Sequence, residues 1–249
     1  MSKAHKAYKN PEFINSREAR TVRILSEYIA PESVFKQKGI HHTVVFFGSA
    51  RIKPDDNSRG TAEYYNIAKD FSSRLAGYSR ELKKETGDSF VICTGGGPGI
   101  MEAANRGACE AGEKTIGLNI SLPFEQHPNP YISEDLNMEF HYFFMRKLWL
   151  LYHAKAIIVF PGGFGTFDEL FETLTLIQTK KMEKPDITVM LYDSAFWNDL
   201  INFRKLVDMG MISEEDLELF HFFDSVDEGL EYLKPRLKEI IARVDHFIP

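Results

Sequence analysis

Cysteine is scarce in this chain: Cys93 and Cys109 are the only two in 249 residues. They form no CxxC pair. One falls on a predicted buried strand and the other on a predicted helix, which is the placement of reduced packing residues in a cytosolic protein. Long apolar runs are missing as well, and no stretch approaches the ~18 residues that a membrane helix needs. The opening residues, Met1 to Lys6, lead into no apolar segment of the signal-peptide kind. Positive charge is not in excess either. Thirty Lys and Arg stand against 36 Asp and Glu, for a net charge of -6. No global field draws the protein to nucleic acid or to an acidic membrane. The eight histidines show no HExxH or other ligand spacing, and His41-His42 merely leads into a strand, so no metal is expected. These absences leave a soluble, cytoplasmic protein as the expectation, with neither nucleic acid nor membrane as partner.

What is present is an ordinary globular composition, 43% hydrophobic and 27% charged. Residues 1–16 are polar without a clear period and read as a mobile arm. Residues 17–38 carry a loose helical stripe of Val22, Leu25, Ile29 and Val34, which Pro31 should kink or split. Strand and helix patterns then alternate. The strands are expected at Thr43–Phe47, Phe90–Cys93, Thr115–Ile120, Met138–Tyr142, Ala156–Phe160, Ile187–Tyr192 and His221–Phe223. The helices are expected at about 60–77, 98–111, 144–154, 166–180, 195–209 and 226–243. The strand runs are almost continuously apolar, as a parallel sheet covered on both faces requires. The expected fold is α/β, a doubly wound, mainly parallel sheet with an extra N-terminal helix, in one domain over 17–249. The segment 121–131 holds three prolines and no period, and reads as an ordered loop at a site rim or subunit contact.

Two glycine loops each follow a strand and open a helix. The first is Thr94-Gly95-Gly96-Gly97-Pro98-Gly99-Ile100-Met101-Glu102. The second is Pro161-Gly162-Gly163-Phe164-Gly165-Thr166-Phe167-Asp168-Glu169. Glycine lets backbone N–H groups approach an anion closely, and a helix N-terminus favours negative charge. Neither loop is a dinucleotide fingerprint, because Glu102 stands where the third glycine of GxGxxG belongs. Neither is a Walker A loop, because no GK[ST] follows. Pro98 is expected in the first turn of its helix, where its missing N–H costs nothing. Two tight βα turns would explain the glycines without a ligand. Their repetition, each with a Glu in the first turn, favours a phosphorylated ligand held between them. Thr166 and Glu169 have the spacing of a capping box, which competes with a catalytic role for Glu169; Ser225 and Glu228 share that spacing and are read as a cap. Arg146 and Lys147 lie together near a predicted helix start, where cations are unfavourable unless an anion is near.

Together these residues resemble the Lonely Guy (LOG) family, long labelled lysine decarboxylases. Its PGGxGTxxE motif is matched by Pro161 to Glu169, its earlier glycine motif by Gly95 to Asn105, and its Arg-Lys pair by Arg146 and Lys147. The resemblance spans roughly residues 40–225. It implies a modified Rossmann fold and a phosphoribohydrolase, which cleaves the N-glycosidic bond of a nucleoside 5′-monophosphate to free base and ribose 5-phosphate. Cytokinin riboside monophosphates and AMP are the implied substrates. No cofactor is implied. By this resemblance Arg146 and Glu169 are the catalytic pair. Ser49, Gly96, Gly97, Glu102, Lys147, Gly163, Gly165 and Thr166 contact substrate or phosphate, and the chain forms a homodimer or larger homo-oligomer. Phe143 and Leu150 replace flanking methionines of the short plant-type members, and the N-terminal helix resembles the longer bacterial-type subgroup. A non-catalytic nucleotide sensor or carrier on the same fold is the alternative. A pyridoxal-dependent lysine decarboxylase would need a marked Schiff-base lysine, and the sequence marks none.

Overall fold

The computed structural model describes residues 6–55, 60–122, 127–182 and 187–243. Seven strands form one parallel sheet: β1 (Thr43–Phe47), β2 (Val91–Thr94), β3 (Thr115–Ile120), β4 (Asn137–Phe140), β5 (Ala154–Val159), β6 (Thr188–Tyr192) and β7 (His221–Phe223). Their order is β4-β3-β2-β1-β5-β6-β7, and every neighbouring pair is parallel. β1, β3 and β6 are buried along their whole length because helices cover both faces. The alternation of β1 divides the core in two. Val44 and Phe46 pack with Ile92, Ile158 and Met190 under helices α3 (Ala62–Thr86), α4 (Ile100–Glu110) and α9 (Val226–Arg243). Val45 and Phe47 pack with Leu118, Ile157 and Val159 under α2 (Arg20–Lys38), α5 (Phe143–Tyr152), α6 (Phe164–Gln178) and α7 (Ser194–Leu200). The sheet is wound outward from β1 in both directions. The topological switch point therefore lies between β1 and β5, the place where such sheets bind ligands in a crevice outside the strands' carboxyl ends.

Several boundaries depart from the sequence reading. Within the expected arm, residues 1–5 lie outside the described residues. The rest contains a 3-10 turn at Ala7–Lys9 and the one-turn helix α1 (Pro11–Ile14), capped by the Asn10 side chain. Elements one turn long leave no period to detect. Pro31 does not break α2. It removes the N–H that would have bonded the Glu27 carbonyl, and the Trp149 indole N–H donates to that carbonyl instead, at 3.1 Å. The Glu27 carboxylate accepts the His141 and Tyr142 amides at the start of α5, so α2 is fastened to α5 at both its backbone and its side chain. α3 continues past 77 to Thr86 and stops at Gly87, whose φ is 84°. The helix expected over 195–209 is two: Asn202 accepts the Lys205 amide and starts α8 (Phe203–Asp208) after a break at Ile201. Pro98 lies before α4, not in its first turn, because Gly99 precedes the helix with φ 72°.

Candidate active site

The loops after β1, β2 and β5 meet at the crevice, and Ser49 joins them. Its amide donates to the Pro161 carbonyl at 3.1 Å, and its carbonyl accepts the Ile100 amide at 3.0 Å. The glycines around it are of two kinds. A Cβ on Gly99 would lie 2.2 Å from the Ser49 carbonyl oxygen, and one on Gly162 would lie 2.1 Å from Thr166 Oγ1. Those glycines permit close packing of the chain on itself. Gly163 and Gly165 are different: a Cβ at either would meet nothing within 4 Å. Both are exposed at the mouth of α6.

α6 starts at Phe164, with Gly163 as its N-cap and no side-chain cap. Thr166 is thus the third helical residue and Glu169 the sixth, so the capping-box alternative fails for this pair. The first-turn amides of α6 are left for an outside acceptor. At Ser225 the bland reading holds, since its Oγ accepts the Glu228 amide at 3.2 Å. Glu169 is instead 7% exposed, and its Oε2 is buried without a hydrogen-bond partner. Burial pushes its carboxyl up to about 7, against the pull of Lys147 and Arg146, with Glu172 and Asp168 adding to the rise. Arg146 reaches the same place from α5. Its Nε donates to the Leu118 carbonyl at 2.7 Å and its Nη2 to the Gly95 carbonyl at 3.4 Å. Burial lowers its pKa, and Glu169 is the first opposing charge. A Cβ on Gly95 would lie 2.1 Å from Arg146 Nη2, so the first glycine loop is shaped around the guanidinium.

Other candidates have contacts within the protein. Lys147 Nζ lies 2.9 Å from Asp168 Oδ2 and 2.8 Å from Glu172 Oε2. Its ammonium therefore has two carboxylates of α6 as partners. Glu102 accepts the Tyr65 hydroxyl at 2.8 Å. Gly97 is buried, and the Gly96 amide is already used by Thr94 Oγ1 at 2.9 Å.

A buried amide network that the sequence reading passed over holds the first loop. Asn129 Nδ2 donates to the carbonyls of Gly96 and Gly97, each at 3.1 Å, and to Asn105 Oδ1 at 2.9 Å. Asn105 Oδ1 also accepts the Thr94 hydroxyl at 2.6 Å, while its Nδ2 donates to Thr115 Oγ1 and the Ile116 carbonyl. A Cβ on Gly96 would strike Asn119 Oδ1. Asn119 could have been noticed, because it interrupts the apolar run Leu118-Asn119-Ile120. Asn129 lies in the proline-rich segment expected at a site rim, of which residues 123–126 lie outside the described residues. The cysteines are bland: Cys93 is buried with its thiol pushed up to about 12 by burial, and Cys109 is exposed on α4. Among the described residues no helix is long and apolar enough to cross a membrane.

Comparison with known proteins gives this site its context. The family model described as "Possible lysine decarboxylase" matches residues 101–233, more than half of the chain. Among curated proteins the chain is 25% identical over 227 residues to the cytokinin riboside 5′-monophosphate phosphoribohydrolase LOG3 of Arabidopsis thaliana, covering 89% of each chain. It is 27% identical over 165 residues to LOG1 of the same plant, covering 64% of this chain and 68% of that one. Among solved structures, TM1055 superposes with a TM-score of 0.53 at 20% identity, covering 78% of this chain and 99% of the other. A molybdenum cofactor binding protein from Rippkaea orientalis gives 0.53 at 16% identity, covering 80% and 98%. The structural likenesses establish the Rossmann-like α/β fold alone. The family match and the sequence relatives go further: the chain belongs to the LOG family, the one historically described as lysine decarboxylases.

Proposed function

We propose that this chain hydrolyses the N-glycosidic bond of nucleoside 5′-monophosphates, cytokinin riboside monophosphates or AMP, releasing free base and ribose 5-phosphate. The observation that carries the reading is Glu169: a buried carboxyl with one unpartnered oxygen, pushed up to about 7 by burial, opposed by the charge of the half-buried Arg146. Burying a carboxyl without a partner costs stability, and such groups concentrate at reactive sites. In this reading the 5′-phosphate rests on the first-turn amides of α6, where Gly163 and Gly165 leave room for it, with Ser49, Gly97 and Thr166 around it. Bond cleavage spreads positive charge over the ribose ring. The Glu169 carboxylate stabilises that charge and orients the water whose oxygen bonds to C1′; the base leaves with the electron pair of the broken C1′–N bond and takes a proton from solvent, while the bound water releases one, following the logic of glycosidases. Arg146 holds the phosphate against Glu169. Binding energy at the phosphate is thereby used to position C1′.

A Schiff-base lysine needs a neutral amine. Burial lowers the Lys147 pKa, but its hydrogen bonds to Glu172 and Asp168 more than offset this and hold it above the ordinary value. That supports hydrolysis over decarboxylation. The chain is further proposed to self-associate through α2, α5 and α6. Leu25, Ile29, Phe143, Phe144 and Tyr152 are at least half exposed there, and Phe164 is 96% exposed beside the open glycines. The deciding experiment is chromatography after incubation with AMP and with isopentenyladenosine monophosphate. Free base and ribose 5-phosphate are expected from the wild type and absent with Glu169→Gln or Arg146→Ala. Tight binding of both nucleotides with no release would replace hydrolysis by the carrier reading.

A further inference from the structure

The sequence reading places Lys147 on the phosphate, but its ammonium is turned toward α6. Asp168 and Glu172, its two partners, stand one residue before and three residues after Glu169. The Lys147 side chain is 14% exposed, against 61% for Asp168 and 35% for Glu172, so solvent screens the Asp168 contact more than the Glu172 contact. Lys147 also directly follows Arg146 on α5. One residue thus ties the helix bearing the guanidinium to the helix bearing the carboxyl. We propose that Lys147 is a positioning residue: gripped by Asp168 and Glu172, it fixes α6 against α5 and supplies the positive charge that lets the buried Glu169 ionise.

The charged groups around Glu169 support this. Arg146 and Lys147 face it from α5, and Asp168 and Glu172 flank it on α6 itself. Both cations favour the ionised carboxyl. Arg146 shares its charge with the carbonyls of Leu118 and Gly95. Without Lys147 the surrounding charges would be that guanidinium and two carboxylates no longer paired with an ammonium, so ionised Glu169 would lose one of its two supports and face unpaired like charge.

The inference deepens the proposed function, since it takes Glu169 as the reacting carboxylate, but its test requires no turnover. In 13C-labelled protein the Glu169 side-chain carboxyl signal is assigned by its loss in Glu169→Gln, then titrated. Lys147→Met should raise the Glu169 midpoint by at least about one pH unit, a tenfold fall in the ratio of ionised to protonated carboxyl at a given pH. Lys147→Arg should keep it near the wild-type value. Should Lys147→Met fail to fold, Lys147→Gln removes the charge while keeping a hydrogen-bonding tip, and the same rise is expected. A midpoint unmoved in the neutral variants overturns the proposal. So does an equal rise in Lys147→Arg, which would mark packing and not charge. If no nucleotide is hydrolysed by the wild type, the function fails while the titration still decides the role of Lys147.

Discussion

Glu169→Gln should make this protein more stable at pH 8 while removing its turnover. The carboxyl is raised from the ordinary 4.5 to about 7. Each pH unit of such a rise is worth ~1.4 kcal/mol, so holding Glu169 ionised in the fold costs on the order of 3 kcal/mol. The sign follows from proton counting. Between 4.5 and 7 the folded state keeps a proton that the unfolded state has released, so folding stability falls as pH rises through that window. Below 4.5 the carboxyl is protonated in both states and the cost vanishes. Glutamine is neutral at every pH and avoids it.

The assay is thermal melting of wild type and Glu169→Gln side by side from pH 4 to pH 8. For chains of this size about 1 kcal/mol moves the melting temperature by roughly 2–4 °C. The variant should therefore melt roughly 6–12 °C higher at pH 8 and close to the wild type at pH 4. The gap should open progressively between 4.5 and 7. A variant that is less stable at pH 8, or a gap of constant size at all pH values, would refute the reasoning. Either result would mean that Glu169 is stabilised in the free protein by partners equivalent to those of an ordinary exposed glutamate.

Gly165→Ala should fold with unchanged or slightly higher stability, because its Cβ enters open space in a helix, yet should lose AMP affinity by calorimetry. Gly99→Ala should instead lose at least about 1–3 kcal/mol in urea melts, since φ is +72° and the Cβ would strike the Ser49 carbonyl. In the Glu169→Gln background the melting temperature should fall as pH drops from 6.5 toward 4, and fall less in a further His153→Gln variant. Burial lowers the His153 pKa to about 4, so its neutral form contributes stability fully present above 6.5 and lost on acidification. Light scattering should give at least a dimer mass, and Leu25→Glu with Ile29→Glu should reduce it to the monomer; a monomeric wild type removes the proposed self-association.

The sheet was legible because its strands obey a simple rule. A segment buried on both faces is mostly apolar, and Thr43–Phe47 and Thr115–Ile120 were located to the residue, as was the less buried edge strand His221–Phe223. Helix ends were read less well where compensation came from elsewhere in the chain. Pro31 looks like a breaker until the Trp149 indole is seen on the Glu27 carbonyl, and that partner is remote in sequence. Asn129 is similar: its donors reach Gly96, Gly97 and Asn105, and nothing local to 129 announces it.

The motif letters hide a further distinction. Pro161 to Glu169 contains three glycines that look alike in sequence. Gly162 is required by Thr166, a contact inside the protein, whereas Gly163 and Gly165 face open space. Only the second pair is left without an intramolecular reason. The same holds for charge. Arg146 and Lys147 are adjacent cations in the sequence, but one side chain is drawn toward Leu118, Gly95 and Glu169 and the other toward Asp168 and Glu172. A motif therefore mixes residues that shape the crevice with residues that face its contents. The division falls where intramolecular partners run out: at Gly163, at Gly165 and at the unpartnered oxygen of Glu169. In the proposed reading a single bound nucleotide engages all three, and on that reading substitutions there should impair ligand handling before they impair folding.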